Sequence, residues 1–420
     1  MTTTLKTDTN FRWLLSGGVL SMLGDQFTLI ALPWLVLKLT GDPLSLGLVL
    51  ALLGVPRAIF ILFGGALVDR YSPKRVLMLS KHASSVLLGV LAALTLTGSA
   101  TLPAVYVLSL GIGLAQAFAI PSGTSMMPHA VPRELLQAAN GVMMGLRQIG
   151  LLAGPLLAAL LLAVGGNGEG GMHALGLAFA FDCASFVISA WTLSRVVPLP
   201  LPGAAAAPAS SVWRSVGEGI ATVWRDVEMR ACFGYWGLVS LLIGGTMQVA
   251  LPVLAKERLH DGSAFGMLMA AHGAGCLLGM GWSAFSSRRN GATPANRMRI
   301  GLMALGIDAI AGLLLLPLGA ITALWQGGLL LLALGALQGL INVVIFTWIQ
   351  QRVPPQMIGR TMSIFMFILF GLAPLSAALT GWLLQYVSLQ EMFVGGGFVL
   401  LACVALAWVF TPMRRIGLSG

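Results

Sequence analysis

Five charged residues stand inside long apolar runs, where a lipid bilayer would make them costly: Asp25, Arg57, Arg147, Asp182 and Asp308. Counted from the ends of their runs at the helical rise, each lies roughly 14–20 Å deep. A charge at that depth is tolerated when it is paired or lines water, and function is its default reading; a buried pair that only sets helix register is the alternative. A carboxylate so placed can take up and release a proton, and an arginine can pair with it, so the chemistry on offer is proton exchange rather than bond cleavage. No convergent nucleophile and base and no metal-ligand cluster occur in the apolar runs, which argues against an enzyme. No G-x4-G-K-[ST] phosphate loop occurs either, which argues against an ATP-driven pump.

The elements that must position these charges are membrane helices. The 420 residues are 57% hydrophobic and only 9% charged, with mean hydropathy +0.90, too little charge for a soluble surface. Continuous apolar runs read as spans at 12–38, 44–68, 75–98, 101–127, 137–164, 172–195, 227–256, 263–286, 299–318, 324–352, 356–386 and 389–411. They are too long and unbroken for barrel strands, and the first has no signal-peptide ending. The fold class expected is therefore an all-α polytopic membrane protein of twelve spans, with both termini cytoplasmic.

Charge placement fits that topology. Of 24 Lys and Arg, Lys38, Lys256 and Arg258 fall outside and Arg57 and Arg147 within spans. The rest, Lys81 among them, read as cytoplasmic ends or loops, the positive-inside pattern. It accounts for the basic pI near 10.1 without a nucleic-acid partner. Cys183, Cys232, Cys276 and Cys403 are scattered in or beside spans and read as packing residues. Residues 1–196 form one six-span half and 227–420 the other. Between them, 197–226 combine a Pro/Ala linker with an amphipathic stretch, Val212–Asp226. That stretch sets Trp213, Val216, Ile220, Val223 and Trp224 on one face and leaves Arg214 and Arg225 to water, as a membrane-surface helix would. The halves echo each other. Residues 129–133 match 351–355, 153–156 match 372–375, and Ser286-Ser287-Arg288-Arg289 is a worn counterpart of the loop described next.

That loop is Gly64–Val76, GGALVDRYSPKRV. Gly64 and Gly65 permit close helix approach, Asp69 stands at the boundary, and Arg70, Lys74 and Arg75 form a basic cluster. Gly, Asp-Arg and Lys-Arg at this spacing resemble the loop between helices 2 and 3 of the major facilitator superfamily. Gly141, Gly150, Gly154 and Pro155 follow G-x8-G-x3-G-P, similar to the antiporter motif of drug/proton exporters, although two closing glycines of that motif are Ala158 and Ala159 here. The alternative for this small-residue face is generic helix packing. With Asp25, Arg57 and the entry Val131-Pro132-x-Glu134…Ala139-Asn140, the chain resembles the branch of macrolide and enterobactin-type siderophore exporters.

The resemblance implies that spans 1, 2, 4, 5, 7, 8, 10 and 11 line a cavity. By it, Asp25, Arg57 and Arg147 are proton-coupling candidates, and Asp182 and Asp308, on outer spans, are packing residues. Gln116, Gln248, His272, Gln338 and Asn342 are uncharged cavity candidates, each more often an interhelical hydrogen bond than a ligand. Phe365, Met366 and Phe370 offer apolar surface or plain core packing. It further implies that Asp69 acts through the dipole of the eleventh helix to favour one conformational state. The expected protein is a monomeric secondary transporter of the bacterial inner membrane. It would exchange protons for hydrophobic or amphiphilic small molecules by alternating access, with no cofactor and no metal. A lysophospholipid or lipid mover and, more remotely, a non-transporting membrane sensor are the alternatives.

Overall fold

The computed structural model describes residue 5 and residues 7–165, 169–199, 212–259, 262–290, 300–353 and 357–416; the side chains of 61–71 and of scattered positions, Arg147 and Pro155 among them, lie outside that description. Its described residues are helices and short connections. In chain order these are α1 Thr9–Thr40, α2 Pro43–Tyr71, α3 Pro73–Leu96, α4 Leu102–Ala117, α5 Ala119–Ala130, α6 Leu136–Gly165, α7 Glu169–Arg195, α8 Val212–Arg225, α9 Val227–Gly245, α10 Leu251–Leu254, α11 Gly262–Asn290, α12 Ile300–Leu315, α13 Leu324–Arg352, α14 Ile358–Gly371, α15 Ala373–Leu383 and α16 Leu389–Phe410. Eleven candidate spans are long and apolar enough to cross a membrane among the described residues. Between two of them runs α6, itself 30 residues long. The all-α polytopic fold follows.

Local chemistry sets the helix ends. The Asp8 carboxylate accepts from the Phe11 amide at 2.7 Å and starts α1, and Gly41, at φ 69°, closes it in the left-handed region. Ser72 takes φ 77° to turn α2 into α3, with Pro73 in the first helical turn. Two runs expected as single spans, 101–127 and 356–386, are broken helix pairs. The joints fall at Phe118, between α4 and α5, and at Leu372, between α14 and α15. Pro121 and Pro374 stand in the first turns after the joints, where a residue without an N–H starts a helix but cannot continue one. The seventh span, 227–259, contains two π-helical segments, Thr246–Ala250 and Ala255–Leu259, on either side of α10. At the first, the Gly245 amide turns to the Ser376 hydroxyl of α15 at 2.7 Å, as a backbone displaced from regular pairing requires.

The chain divides into two compact units: residues 1–41, 49–212 and 261–266, and residues 42–48, 213–260 and 267–420. In the first unit, α1 and α3 both lie along α7, and α6 lies along α1. In the second, α9 packs on α15 and α16, and α12 on α16. An aromatic group of Phe233, Phe346 and Phe365 lies in that unit's core, with ring centroids 5.3 and 5.6 Å from Phe365. Exposed Val107, Leu160, Trp191, Phe398, Val409 and Phe410 give the helices an outer apolar surface suited to lipid. The linker residues 200–211 lie outside the description. Of the amphipathic face expected on α8, Val223 is buried in the core of the second unit, whereas Ile220 and Trp224 are exposed.

Asp226 joins α8 to α9. Its carboxylate caps α9 by accepting from the Glu228 and Met229 amides at 3.0 and 3.1 Å. It also meets Arg352, at the end of α13, through Nε at 2.5 Å and Nη2 at 3.2 Å. Arg352 Nη1 reaches Glu228 at 2.8 Å. Partial burial works against the charged carboxylate, but the Arg352 hydrogen bond, the two amides and the guanidinium charge outweigh it and hold Asp226 below the usual carboxylate range. A group depressed in this way stabilises the fold above its unfolded value of about 3.9 and loses that contribution as pH falls through the folded value. Asp226→Ala is therefore expected to cost about 1–2 kcal/mol at neutral pH. In thermal unfolding of the detergent-solubilised protein, its deficit against wild type should shrink as the medium is acidified; a deficit independent of pH would contradict the assignment.

Candidate functional site

The first unit contains a polar seam where α1, α3 and α7 meet. On α1, Ser21, Asp25 and Thr28 recur at helical spacing; on α7, Asp182, Ser185, Ser189 and Thr192 do the same, and all four are buried. Gly17 and Gly24 open α1 to α7: a Cβ on Gly17 would overlap the Thr192 hydroxyl, and one on Gly24 would overlap Asp182 and Ser185. The Thr28 hydroxyl donates to Asp182 Oδ2, and Ser185 donates to Asp182 Oδ1 at 3.3 Å. Asp182 is thus held by hydroxyls deep in the seam.

Lys81 corrects the reading of the charge map. Placed by sequence among the cytoplasmic-end cations, it is a buried side chain of α3, with Nζ donating to Ser189 Oγ at 2.6 Å and Ser21 Oγ at 3.3 Å. The Phe186 ring lies beneath it, its centroid 5.5 Å from Nζ. A signal was there to read, since eight residues beyond Pro73 is about 12 Å of rise, past any loop. The polar run Lys81-His82-Ala83-Ser84-Ser85 disguised it as a helix end.

Asp25 is joined to Arg57 through an intermediary. Gln116, buried on α4, donates its amide to Asp25 Oδ1 at 3.1 Å and accepts from Arg57 Nη2 of α2. One side-chain amide therefore satisfies a carboxylate and a guanidinium at once, each from its matching end. Arg57 Nε is buried with no hydrogen-bond partner among the described residues. The side chain of Arg147 lies outside the description, so the structure brings together two of the three expected charges, through a residue sequence reading held only as a weak candidate.

The glycines of α6 bear on the same helix as Asp25. A Cβ on Gly154 would overlap the Gln26 side chain, and one on Gly150 would meet Met22 Cε at 2.5 Å; nothing lies within 4 Å of the Gly141 position. Pro155 lies outside the described side chains. In the loop, Gly64, Gly65, Asp69 and Arg70 fall in the helical end of α2 with side chains outside the description. Lys74 is placed: its ammonium donates to the carbonyls of Ser194 and Val196 at 3.0 and 2.7 Å, closing the end of α7, and Arg75 is exposed.

The second unit holds the remaining candidates. The Tyr235 hydroxyl donates to Asp308 Oδ2 at 2.6 Å in its core. Gln338 donates to Asn342, one turn along α13, at 3.0 Å. Gln248 is exposed on the first π-helical segment, and His272 is half-buried on α11. Phe365 is core, Met366 is packed against that core, and the Phe370 side chain lies outside the description. Among the described residues no His, Cys, Asp and Glu cluster could hold a metal ion.

Comparison with known proteins bears on the whole chain. The family profile described as Major Facilitator Superfamily matches residues 14–377. The multidrug efflux pump Tap of Mycolicibacterium fortuitum is 28% identical over 407 residues, 93% of each chain. The enterobactin exporter EntS of Salmonella choleraesuis (strain SC-B67) is 26% identical over 357 residues, covering 85% of this chain and 81% of its own. Among solved structures, the nucleoside transporter NupG superposes with TM-score 0.71 at 16% identity over 96% of this chain and 100% of that one. A D-xylose-proton symporter does so at TM-score 0.71 and 13% identity, over 97% and 98%. At such identities the structural likeness speaks for the fold.

Gln116→Leu removes the amide that Asp25 and Arg57 share. We expect a loss of about 1 kcal/mol, the range for an ordinary hydrogen bond, seen as a lower unfolding temperature in detergent. An unchanged temperature would show that the bridge contributes nothing to the resting fold.

Proposed function

The chain belongs to the major facilitator superfamily, and from that membership we propose that it is a proton-coupled exporter of hydrophobic or amphiphilic small molecules, working by alternating access of its two halves. Members of this superfamily are transporters rather than enzymes, and this multi-pass chain matches relatives named as a drug efflux pump and an enterobactin exporter. The observation that carries the coupling is Asp25. It is an exposed carboxylate in the middle of α1, tied through Gln116 to the fixed charge of Arg57. A proton on Asp25 weakens its hold on the amide; departure of the proton restores it. The carboxylate would thus read the proton gradient, and the shared amide would pass that state to α2 and α4.

The second reading, a lysophospholipid mover, draws on one feature. Between α3 and α4 lies an apolar groove of about 610 Å³ whose lining includes Val76, Leu79, Leu114, Phe118 and the charged Arg75. It would suit an acyl chain with an anionic headgroup. Proteoliposomes with an imposed pH gradient, offered erythromycin, tetracycline, ethidium, enterobactin and lysophosphatidylglycerol, separate the readings. Proton-driven accumulation of one of the first four supports export of small amphiphiles; movement of the lipid alone supports the second reading.

For a compound that is accumulated, Asp25→Asn should reduce accumulation by about tenfold, within ordinary coupling energies. It should leave downhill exchange near wild type. Flux in the wild type that ignores the gradient would end the antiport reading.

The location we propose is the bacterial inner membrane, with both termini cytoplasmic. Its support is the clustering of Lys and Arg at one set of helix ends. Tags at Met1, at Ala204–Ala207 and at Gly420 should be reached from the cytoplasm, and one at Gly168 from outside. An external linker tag would reverse the assignment.

A further inference from the structure

Lys81 is the one lysine that is buried among the described residues, at 8% exposure. Its ammonium has three protons to donate, and the groups it meets are neutral: Ser189 Oγ, Ser21 Oγ and the Phe186 ring. The two serine oxygens lie 3.5 Å apart. The charged and titratable groups nearest it on the surrounding helices are Asp25 of α1, Asp182 and Cys183 of α7 and Arg57 of α2; farther along the same helices stand Arg12 and Lys38 of α1, Glu169, His173 and Arg195 of α7, Asp69, Arg70 and Tyr71 of α2 and Tyr106 of α4. Besides these, α4 offers the neutral Gln116, α5 carries His129 at its C-terminal end, and α3 itself carries Lys74, Arg75 and an exposed His82. Asp25 acts electrostatically on Lys81, Asp182 and Arg57 alike. Ser21 precedes Asp25 by one turn, so Lys81 meets α1 about 6 Å nearer the Thr9 end than the carboxylate does.

The four charges of the seam and its bridge are two acids and two bases. Arginine keeps its proton in proteins, whereas a buried lysine can become a neutral amine. A carboxyl beside an amine carries the same total charge as a carboxylate beside an ammonium. A proton can therefore pass from Asp25 to Lys81 without adding net charge to a region of low dielectric, where excess charge is expensive.

Resting on the proton coupling proposed above, we propose that Lys81 is a second station on the proton's route: Asp25 takes up a proton, and Lys81, held one turn away along α1, receives it and releases it toward the Thr9 end. In the transfer the O–H bond of the Asp25 carboxyl breaks and an N–H bond forms on the Lys81 amine. Release from the ammonium restores the amine, and no electrons change hands. Lys81 then does more than balance charge.

The test is the order of activity among Lys81→His, Lys81→Arg and Lys81→Gln in proteoliposomes, using whichever of erythromycin, tetracycline, ethidium or enterobactin the wild type accumulates most. Histidine can bind and release a proton; arginine keeps the charge and cannot release it; glutamine does neither. The inference expects Lys81→Arg and Lys81→Gln each to lose about tenfold in proton-driven accumulation with downhill exchange retained, and Lys81→His to keep a substantial part of it. Either of the first two variants decides alone if the other fails to insert. If neither inserts, Lys81→His decides by whether it still accumulates. Accumulation by Lys81→Arg equal to or above that of Lys81→His overturns the inference and leaves a structural counter-charge. A wild type that ignores the proton gradient overturns the coupling reading and this one together. A coupled wild type with a fully coupled Lys81→Arg overturns only the lysine.

Discussion

A polar group carried into hydrocarbon must find its partner inside the protein, because lipid offers none. That constraint organises the first unit. Asp182 is met by the Thr28 and Ser185 hydroxyls, Lys81 by Ser21 and Ser189, and Asp25 and Arg57 by the two ends of one Gln116 amide. The glycines of α1 follow from it as well. Hydroxyls on short side chains reach across a helix interface when the backbones lie close, and Gly17 and Gly24 leave α7 the room to come that near. The second unit meets the same demand in smaller pieces, with Tyr235 on Asp308 and Gln338 on Asn342.

The seam differs from an ordinary packing interface in what its members can do. Interhelical hydrogen bonds in membranes contribute about 0.6–2 kcal/mol each, so several hydroxyl contacts suffice to hold the helices. The lysine meets α1 one turn from Asp25 and is enclosed by hydroxyls of α1 and α7. Asp308, enclosed with a tyrosine in the other unit, has no such second charge described beside it, which fits a packing role.

Charges at helix ends serve another purpose. Lys74 closes the carbonyl end of α7, Asn10 pairs with both backbone groups of Val197 at 2.8 and 2.9 Å, and Asp226 ties the start of α9 to the end of α13. These contacts fasten helix termini within each unit. The interruptions lie elsewhere, at the joints before Pro121 and Pro374 and at the two π-helical segments of the seventh span. Termini are fixed while helix interiors carry the irregular backbone, an arrangement open to bending within spans.

By itself the sequence determined the membrane class, the order of the spans and the family, because these rest on composition, run length and loop motifs that survive without knowledge of contacts. It marked Asp25, Arg57, Arg147, Asp182 and Asp308 as deep charges, since depth follows from counting residues along a helix. Tertiary structure alone decided their partners. Gln116 is 91 residues from Asp25 and 59 from Arg57, and no local pattern tells which neighbouring helix will offer an amide at the right height and rotation. The depth of Lys81 could be counted from Pro73, but its partners, the Ser21 and Ser189 hydroxyls of α1 and α7, come only from the packed helices. The π-helical segments were equally hidden, because the seventh span is so evenly apolar that a shift of its face leaves no mark in the residue pattern. The bilayer's demand for satisfied polar groups is written in the sequence; the helix that satisfies each one is settled only when the helices pack.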